Sequence, residues 1–476
     1  MKHASSLLFH FTIVASVFAS SLASATNLYV ATTGSDSNAG TTASAPLRTI
    51  VKASQLAKPG DIVNVAAGTY TGGFQTTSSG TATARITYQS TTKWGARIVP
   101  ATNGVLLWDH RGNYSDIVGF DFDGSGSTTT RNGLYIGGSY NAVRGNHVHN
   151  VAQSVPCTSA GGSAIGSDSY YNGVNNDVIG NYVHHIGVST CNFIQGIYIS
   201  TSGNVKNNLA YNVGGAAIHL WHDASHVNII NNTTTSSGVG IVVGGGDFYH
   251  STTLKADYVN VYNNIVFDNG IGITEQGTTG PNNSYLNNLV YQNTTNWDLD
   301  YGKSNAGTVA ADPQFVSYNR TGSSVDFHLK STSPAINRGL ANLAPSTDIE
   351  GTARPQNSYF DIGAYEYRST AAAVMSVSPT SLVFASQTVG TTSTIQIVTV
   401  KNAGNANMTI PAGFVMSGDF DFGGTGTCKV GVSYAPGTSC TASVVFKPTA
   451  IGTRTGSLKI TSNVSSVTVS LSGTGK

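Results

Sequence analysis

One repeat constrains this chain more than any other feature. Between residue 133 and about 292 the same unit returns: an apolar-alternating strand, a Gly/Ser/Asn turn, and a second strand that opens with Asn. The Asn-centred segments are Gly145-Asn146-His147-Val148, Gly180-Asn181-Tyr182-Val183, Asn207-Asn208-Leu209-Ala210, Asn231-Asn232-Thr233-Thr234, Asn263-Asn264-Ile265-Val266 and Asn287-Asn288-Leu289-Val290. Their anchors, Asn146, Asn181, Asn208, Asn232, Asn264 and Asn288, are spaced 35, 27, 24, 32 and 24 residues apart. A basic period near 24 with occasional insertions suits one turn of a β-solenoid. No such coil buries its apolar face alone, but stacked coils share a continuous core. Asn at equivalent positions predicts a ladder, each side-chain amide bonding to the coils above and below. These asparagines therefore read as structural.

The other strand of each coil also aligns. Leu134-Tyr135-Ile136, Ser163-Ala164-Ile165, Ile197-Tyr198-Ile199, Ile218-His219-Leu220, Ile241-Val242-Val243 and Ile271-Gly272-Ile273 fall one per coil. With a side-chain period of two, the flanking aliphatics face the core and the middle residue faces out. The expected outward row is Tyr135, Ala164, Tyr198, His219, Val242 and Gly272, with Trp221 one outward step beyond His219.

Composition narrows the class further. Lys+Arg number 24 and Asp+Glu 23, a net charge of +1, without the basic stripe of a nucleic-acid binder. The 39% hydrophobic content with 22 Tyr and 17 Phe is too rich for disorder. Gly, Asn, Ser and Thr replace the charge, which excludes an all-helical protein and favours a long all-β chain with many turns. Lys2 and His3, the apolar run Leu7 to Ala19 and the small residues Ala23-Ser24-Ala25 predict a secretory signal peptide over 1–25. No later stretch reaches transmembrane length. The expectation is a secreted, monomeric protein, extracellular or periplasmic, in a compartment where disulfides persist.

The run Asn27-Leu28-Tyr29-Val30-Ala31-Thr32-Thr33-Gly34-Ser35-Asp36-Ser37-Asn38-Ala39-Gly40 resembles the opening of secreted right-handed parallel β-helix proteins of the polysaccharide-lyase type. Pro46 to Lys58 looks like the amphipathic helix that caps such a solenoid, and Pro59-Gly60-Asp61 to Ala67-Gly68-Thr69-Tyr70 like its first coil. Asp312-Pro313-Gln314-Phe315, Ser333-Pro334-Ala335-Ile336 and Asp361-Ile362-Gly363-Ala364-Tyr365-Glu366 resemble the group's closing motif, in which Asp348, Glu350, Asp361 and Glu366 read as cap structure. The resemblance covers roughly residues 27 to 367. It implies a right-handed parallel β-helix over 26–368, but one solenoid hosts lyases, hydrolases, epimerases and non-enzymatic proteins. After a small-residue linker at 369–375, short alternating strands over 376–476 describe an immunoglobulin-like β-sandwich. That part resembles the bacterial modules related to spindle-protein and sperm-protein sandwiches. It is expected to anchor the protein or assist it at a cell surface or on carbohydrate.

Four cysteines allow three pairings. Cys157 lies 11 residues after Asn146 and Cys191 lies 10 after Asn181, nearly the same place in successive coils. Cys428 and Cys440 lie close together in the sandwich. The expected disulfides are Cys157–Cys191 and Cys428–Cys440; metal binding is disfavoured because no CxxC occurs and the pairs are split between domains.

Two insertions flank the outward row: the Cys157 and Cys191 loops before it and the Gly244–Asp257 segment after it. Loops on both sides of a sheet make a groove that can hold an extended polymer. Ile218-His219-Leu220-Trp221-His222-Asp223 is the densest group of chemically capable residues. His219, Tyr198, Asp223 and Asp247 are the candidate catalytic residues, and Trp221, His222, Tyr135, Asp168 and Glu275 the candidate polysaccharide contacts. His147, His149, His184 and His185 lie on the Asn-bearing strands, a different face, and read as structural. A lyase must take the C-5 proton of a uronic acid while the neighbouring carboxylate is neutralised. His219 or Tyr198 is the candidate base or acid, and Asp223 with Asp247 are candidate Ca²⁺ ligands. A hydrolase instead sets two carboxylates across the scissile bond, here Asp223 with Asp247 or Glu275, while Trp221 and Tyr198 stack on sugar rings. Between residues 145 and 302 the only Lys or Arg residues are Lys206 and Lys255, which favours a neutral polymer and the hydrolase. The N-terminal resemblance favours the lyase, which stands first; the hydrolase and a non-enzymatic adhesion protein are the alternatives.

Overall fold

The computed structural model describes residues 25–476 apart from 190, 301, 321–323, 357 and 369–372. The expected signal peptide, except Ala25, and most of the expected linker lie outside the described residues. Three parallel sheets run the length of the first unit, which ends at Tyr367. The first sheet has ten strands, from Asn27–Val30 to Ser284–Leu286. The second has nine, from Gly68–Thr71 to Leu289–Tyr291, and the third nine, from Phe74–Thr76 to Thr295–Asp298. Each coil contributes one strand to each sheet, and neighbours in a sheet come from successive coils. This is a parallel β-helix. Helix Ile50–Leu56, N-capped by the Thr49 side chain on the Lys52 N–H, covers residues at its N-terminal end. It is shorter than the Pro46–Lys58 run because Pro46 and Leu47 are still extended and Ala57 leaves the helix at ψ 136°.

Inward aliphatics fill the coil interior: Leu134, Ile165, Ile197, Ile218, Ile241 and Ile273 are all fully buried. The asparagine ladder is complete. Asn146 Nδ2 donates to Asn181 Oδ1 at 3.1 Å, Asn181 to Asn208 at 3.0 Å, and Asn208 to Asn232 at 3.0 Å. Asn232 continues to Asn264 at 2.9 Å and Asn264 to Asn288 at 3.0 Å. Each Oδ1 also accepts the backbone N–H of the preceding rung, as Asn232 Oδ1 does from Asn208 N at 2.9 Å. Every polar atom of a buried rung is thus used, which is the condition for burying an amide at no net loss.

The residue before each rung is left-handed: Gly145 and Gly180 at φ +62° and +68°, Asn207, Asn231, Asn263 and Asn287 between +50° and +56°. The switch from Gly to Asn has a cause. A C-terminal segment runs back along the later coils, and each of these asparagines bonds to it. Asn287 Nδ2 donates to Arg338 O, Asn263 to Leu340 O, Asn207 to Thr347 O and Asn231 to Asp361 O, at 2.6–2.9 Å. Phe315, Phe327 and Tyr365 pack with Leu209, Ile265 and Leu289 in a cluster of their own. Arg354, paired with Glu366 at 2.8 Å and fully buried, and Asp348, which caps the Thr352 and Glu350 N–H groups, fix the turn of this strap.

The outward row of the third sheet differs from the expected one at two places. Strand register gives Gln75, Asp109, Tyr135, Gly166, Tyr198, His219, Val242, Thr274 and Asp298. Gly166 and Thr274 stand where Ala164 and Gly272 were expected. Ile165 and Ile273 are the leading inward residues of their strands; the trailing inward places hold Ser167 and Glu275, so no second aliphatic marks the register. Ala164 and Gly272 fall instead in a close-packed column, where a Cβ on Gly272 would meet the Asn296 carbonyl at 2.4 Å.

The second unit, Arg368–Lys476, is a β-sandwich of two four-stranded sheets. One is ordered Met375–Ser378, Gln396–Asn402, Ser439–Phe446, Phe420–Phe422; the other Ser381–Val383, Ser466–Gly475, Gly452–Thr461, Phe414–Ser417. Val398, Val400, Val444, Phe446, Leu458, Ile460 and Val469 form its core. Both expected disulfides are present, Cys157–Cys191 with Cα atoms 5.4 Å apart and Cys428–Cys440 at 4.8 Å.

Candidate functional site

The outer face of the third sheet floors a cleft of about 690 Å³. Tyr135, Gly166, Tyr198 and His219 supply the floor, Ser159–Gly162 with Asn192 and Phe193 one wall, and Trp221, His222, Asp247 and Tyr249 the other. The Cys157–Cys191 disulfide ties the two loops of the first wall. The second wall rests on glycine: a Cβ on Gly246 would lie 2.7 Å from the Trp221 ring, and one on Gly244 2.9 Å. Without those side chains the indole can settle over the strand ends, where its Nε1 donates to Asp247 Oδ2 at 3.3 Å. His222 Nδ1 donates to the Asp247 carbonyl at 2.8 Å, and the ring stacks on Tyr249 with centroids 4.0 Å apart.

His219 stands apart from every other group in the cleft. Both ring nitrogens are buried, and neither has a hydrogen-bond partner among the described residues. Its ring meets the Tyr198 ring edge-on at 5.3 Å and that of Trp221 at 5.8 Å. Burial, then the neighbouring His222, pushes its pKa down to about 4. Tyr198 moves the opposite way: burial, then Tyr249, Asp168 and Asp247, raise its hydroxyl well above the ordinary value. At neutral pH the pair is therefore an imidazole with a free lone pair beside a protonated phenol.

Asp168 lines the cleft. Its Oδ1 accepts from the Tyr170 N–H at 2.8 Å and Ser200 Oγ at 2.9 Å, and the carboxylate bonds to Tyr135, whose pKa burial and Asp168 both raise. Asp223 does not line it. Its oxygens accept Ser169 Oγ at 2.9 Å, the Tyr249 N–H at 3.0 Å and His250 Nδ1 at 2.5 Å. Burial opposes its charge, but the bonds from His250, Ser169 and Tyr249 outweigh that and hold the carboxyl below the usual range. Asp223 is thus the tie that holds the Asp247–His250 loop to the Ser169 turn. Glu275 is likewise no polysaccharide contact. It occupies an inward place, with its side chain fully buried, and pairs with Lys303 at 2.6 Å and Tyr285 at 2.7 Å.

Two cations escaped the sequence reading because the repeat was followed only from residue 133. Arg111 lies one coil earlier, its guanidinium 3.5 Å from the Tyr171 ring and 5.3 Å from that of Tyr135, and pairs with Asp109 at 2.5 Å. Arg131 precedes the cleft residue Asn132, and its Nε is buried without a partner. Extending the strand alignment back to Leu106–His110 would have found the first.

No family model matches the chain, and no curated protein does. Solved structures similar to it include a pectate lyase, at 17% identity and TM-score 0.42, covering 72% of this chain and 96% of that one. An alginate lyase from a Paenibacillus strain has 17% identity and TM-score 0.34, covering 55% of this chain and 96% of that one. The A-module of an Azotobacter vinelandii mannuronan C-5 epimerase has 15% identity and TM-score 0.39, over 53% of this chain and 67% of that one. The sheets and cleft themselves define the class: a parallel β-helix protein with an open groove on one face, followed by a β-sandwich.

Proposed function

We propose that this chain is a secreted polysaccharide lyase that cleaves a uronic-acid-containing polymer by β-elimination. The observation that carries the reading is His219, a neutral imidazole with two unpartnered nitrogens under the cleft and beside a protonated Tyr198. Most buried histidine nitrogens are bonded; this ring keeps an unused lone pair, which a substrate reaches when the Tyr198 and Trp221 rings against it shift. His219 takes the proton at C-5, the C–H electrons form the C-4/C-5 double bond, and the C-4–oxygen bond breaks. Tyr198 gives its hydroxyl proton to the leaving oxygen, and exchange with water restores both groups. Arg111, which lies 5.3 Å from the ring of the cleft residue Tyr135, and Arg131, next in sequence to the cleft residue Asn132, are the candidates to neutralise the uronate carboxylate and so make the C-5 proton removable. Trp221 and Tyr135 offer ring faces to sugars.

Calcium is a separate arm of the proposal. With Asp223 committed to three donors, Asp223 and Asp247 do not make the six to eight oxygen ligands the ion takes, so no step is routed through it. Loss of activity in EDTA and its return with Ca²⁺ would restore that role. Hydrolysis is the second reading, because Asp168 and Asp247 both reach the cleft. The sandwich is proposed to tether the enzyme to a surface or to carbohydrate. The signal segment and the two disulfides support export.

The test is incubation with a panel of acidic and neutral polysaccharides. New ultraviolet absorbance from an unsaturated uronide supports the lyase. Reducing ends without absorbance mean a hydrolase, and binding without either product means an adhesion protein; both overturn the reading.

A further inference from the structure

The outer face of the second sheet carries a cluster with no part in the cleft. His147 and His149 alternate on strand His147–His149, so both imidazoles leave the same face. Strand Asp121–Asp123 lies on one side, pairing His147 with Asp121; strand Tyr182–Ile186 lies on the other, pairing His149 with His184. His147 Nδ1 and His149 Nε2 converge on one oxygen, Asp121 Oδ1, at 2.8 and 3.0 Å. These three are the one group among the described residues whose His, Cys, Asp or Glu donor atoms all lie within 4.8 Å of one another.

We propose that Asp121, His147 and His149 form a binding site for a divalent transition-metal cation of the zinc class, held by two imidazole nitrogens and one carboxylate oxygen. Three protein donors with a fourth place left to water is the arrangement of open zinc sites. Two nitrogens and one oxygen suit a borderline cation and not calcium, which takes an all-oxygen shell. The separations of 2.8 and 3.0 Å are close to the roughly 3.3 Å edge of a tetrahedron with bonds of about 2.0 Å, so small ring rotations admit the ion.

The surroundings hold the donors in place. Arg97 sits 3.6 Å from the other oxygen of Asp121 and also pairs with Asp123, leaving Oδ1 to the imidazoles. The Trp94 ring lies against His147, tilted by 30° with centroids 4.8 Å apart. His147 Nε2 meets His184 Nε2 at 2.7 Å, and His184 Nδ1 meets His185 Nδ1 at 2.6 Å. Contacts this short need one proton between each pair of nitrogens. Without metal, protons point from His185 through His184 and His147 to Asp121. When the ion takes His147 Nδ1, the row reverses: His147 donates from Nε2 to His184, His184 from Nδ1 to His185, and His185 carries its proton on Nε2. His149 binds through Nε2 and moves its proton to Nδ1, which requires the Asn150 amide, whose Nδ2 faces that nitrogen at 2.8 Å, to turn its oxygen toward the ring. Each ring keeps one proton, so the site loads without charging an imidazole. Second-shell partners of this kind fix the tautomer of a ligating histidine.

The experiment uses the full chain stripped with a chelator, then titrated with Zn²⁺ against a chromogenic competitor and, in parallel, with Co²⁺. The expected result is stoichiometric zinc uptake with a rise in melting temperature, and a visible Co²⁺ band of tetrahedral intensity. His149→Ala and Asp121→Asn should each weaken zinc by about a hundredfold, while His226→Ala, outside the second sheet, leaves zinc affinity unchanged. Asp121→Asn keeps the shape of the side chain, so it reads the site even if the alanine variant folds poorly. Absence of zinc uptake by the wild-type chain overturns the proposal, as does uptake that survives both substitutions. Neither result touches the lyase reading, which concerns the third sheet.

Discussion

The second and third sheets each present histidines outward from the same solenoid, and they treat them in opposite ways. On the second, His147, His149, His184 and His185 are tied nitrogen by nitrogen to Asp121, to Asn150 and to one another. On the third, His219 is half-buried, with both ring nitrogens covered and unbonded. Folding gains nothing from an orphaned buried imidazole, which forfeits about 1–3 kcal/mol of solvation. The difference separates a face whose histidines hold one another in fixed orientations from a face where one histidine is left without any protein partner.

The comparison is broken most directly at His219 itself. His219→Ala should cut turnover on a confirmed substrate by about a hundredfold or more while leaving circular dichroism and the melting temperature near wild type. A folded variant with near-normal turnover would move the chemistry elsewhere.

Stability should show the reverse asymmetry. His184→Phe strands a nitrogen of His147 and the proton of His185, at a cost of about 1–3 kcal/mol in urea unfolding. His219→Phe strands nothing and should leave stability unchanged or slightly raised. Equal losses from both would erase the distinction.

Acid sharpens it further. The unfolded imidazole titrates near 6.5, while folded His219 titrates near 4, so the unfolded chain binds the proton first as pH falls. Stability from this group is present above pH 6.5 and drains between about 6.5 and about 4. His110, buried and also lowered to about 4, adds a second such loss. His219→Phe should therefore recover about 2 kcal/mol near pH 4, allowing for the ring's part exposure. In the wild type the acid limb of kcat/KM should fall below the ordinary imidazole value, because protonation disables the base.

The smallest effect concerns the glycine bed of Trp221. Gly246→Ala places a methyl 2.7 Å from the indole and should tilt it, raising KM a few-fold with kcat little changed. A drop in kcat alone would mean that Trp221 does more than bind.

The solenoid was legible in the sequence because each rung of the ladder repeats a requirement: an Asn that must satisfy its neighbours, after a residue that tolerates positive φ. The cleft was legible in part. Tyr135, Asp168, Tyr198, His219, Trp221, His222 and Asp247 do come together in it. Glu275 was misplaced because a buried Glu–Lys pair occupies a position where alternation expects an aliphatic, and Lys303 lies 28 residues away in sequence. Asp223 was misread for a related reason: its three donors come from two other loops, and nothing local announces them. The cluster around Asp121 hid behind a correct observation, that its histidines lie on another face.

The strap has a consequence for how the solenoid opens. A stack held only by neighbour contacts frays from its end, one layer at a time. Here a single segment is bonded to Asn207, Asn231, Asn263 and Asn287, so the four layers that carry them cannot separate without first releasing it. Amide exchange in those layers should collapse into one cooperative block with a shared opening free energy, while the layers around Gly145 and Gly180 exchange in graded steps. The doubled asparagine thus marks, in the sequence, where an additive chain of modules becomes an all-or-none unit.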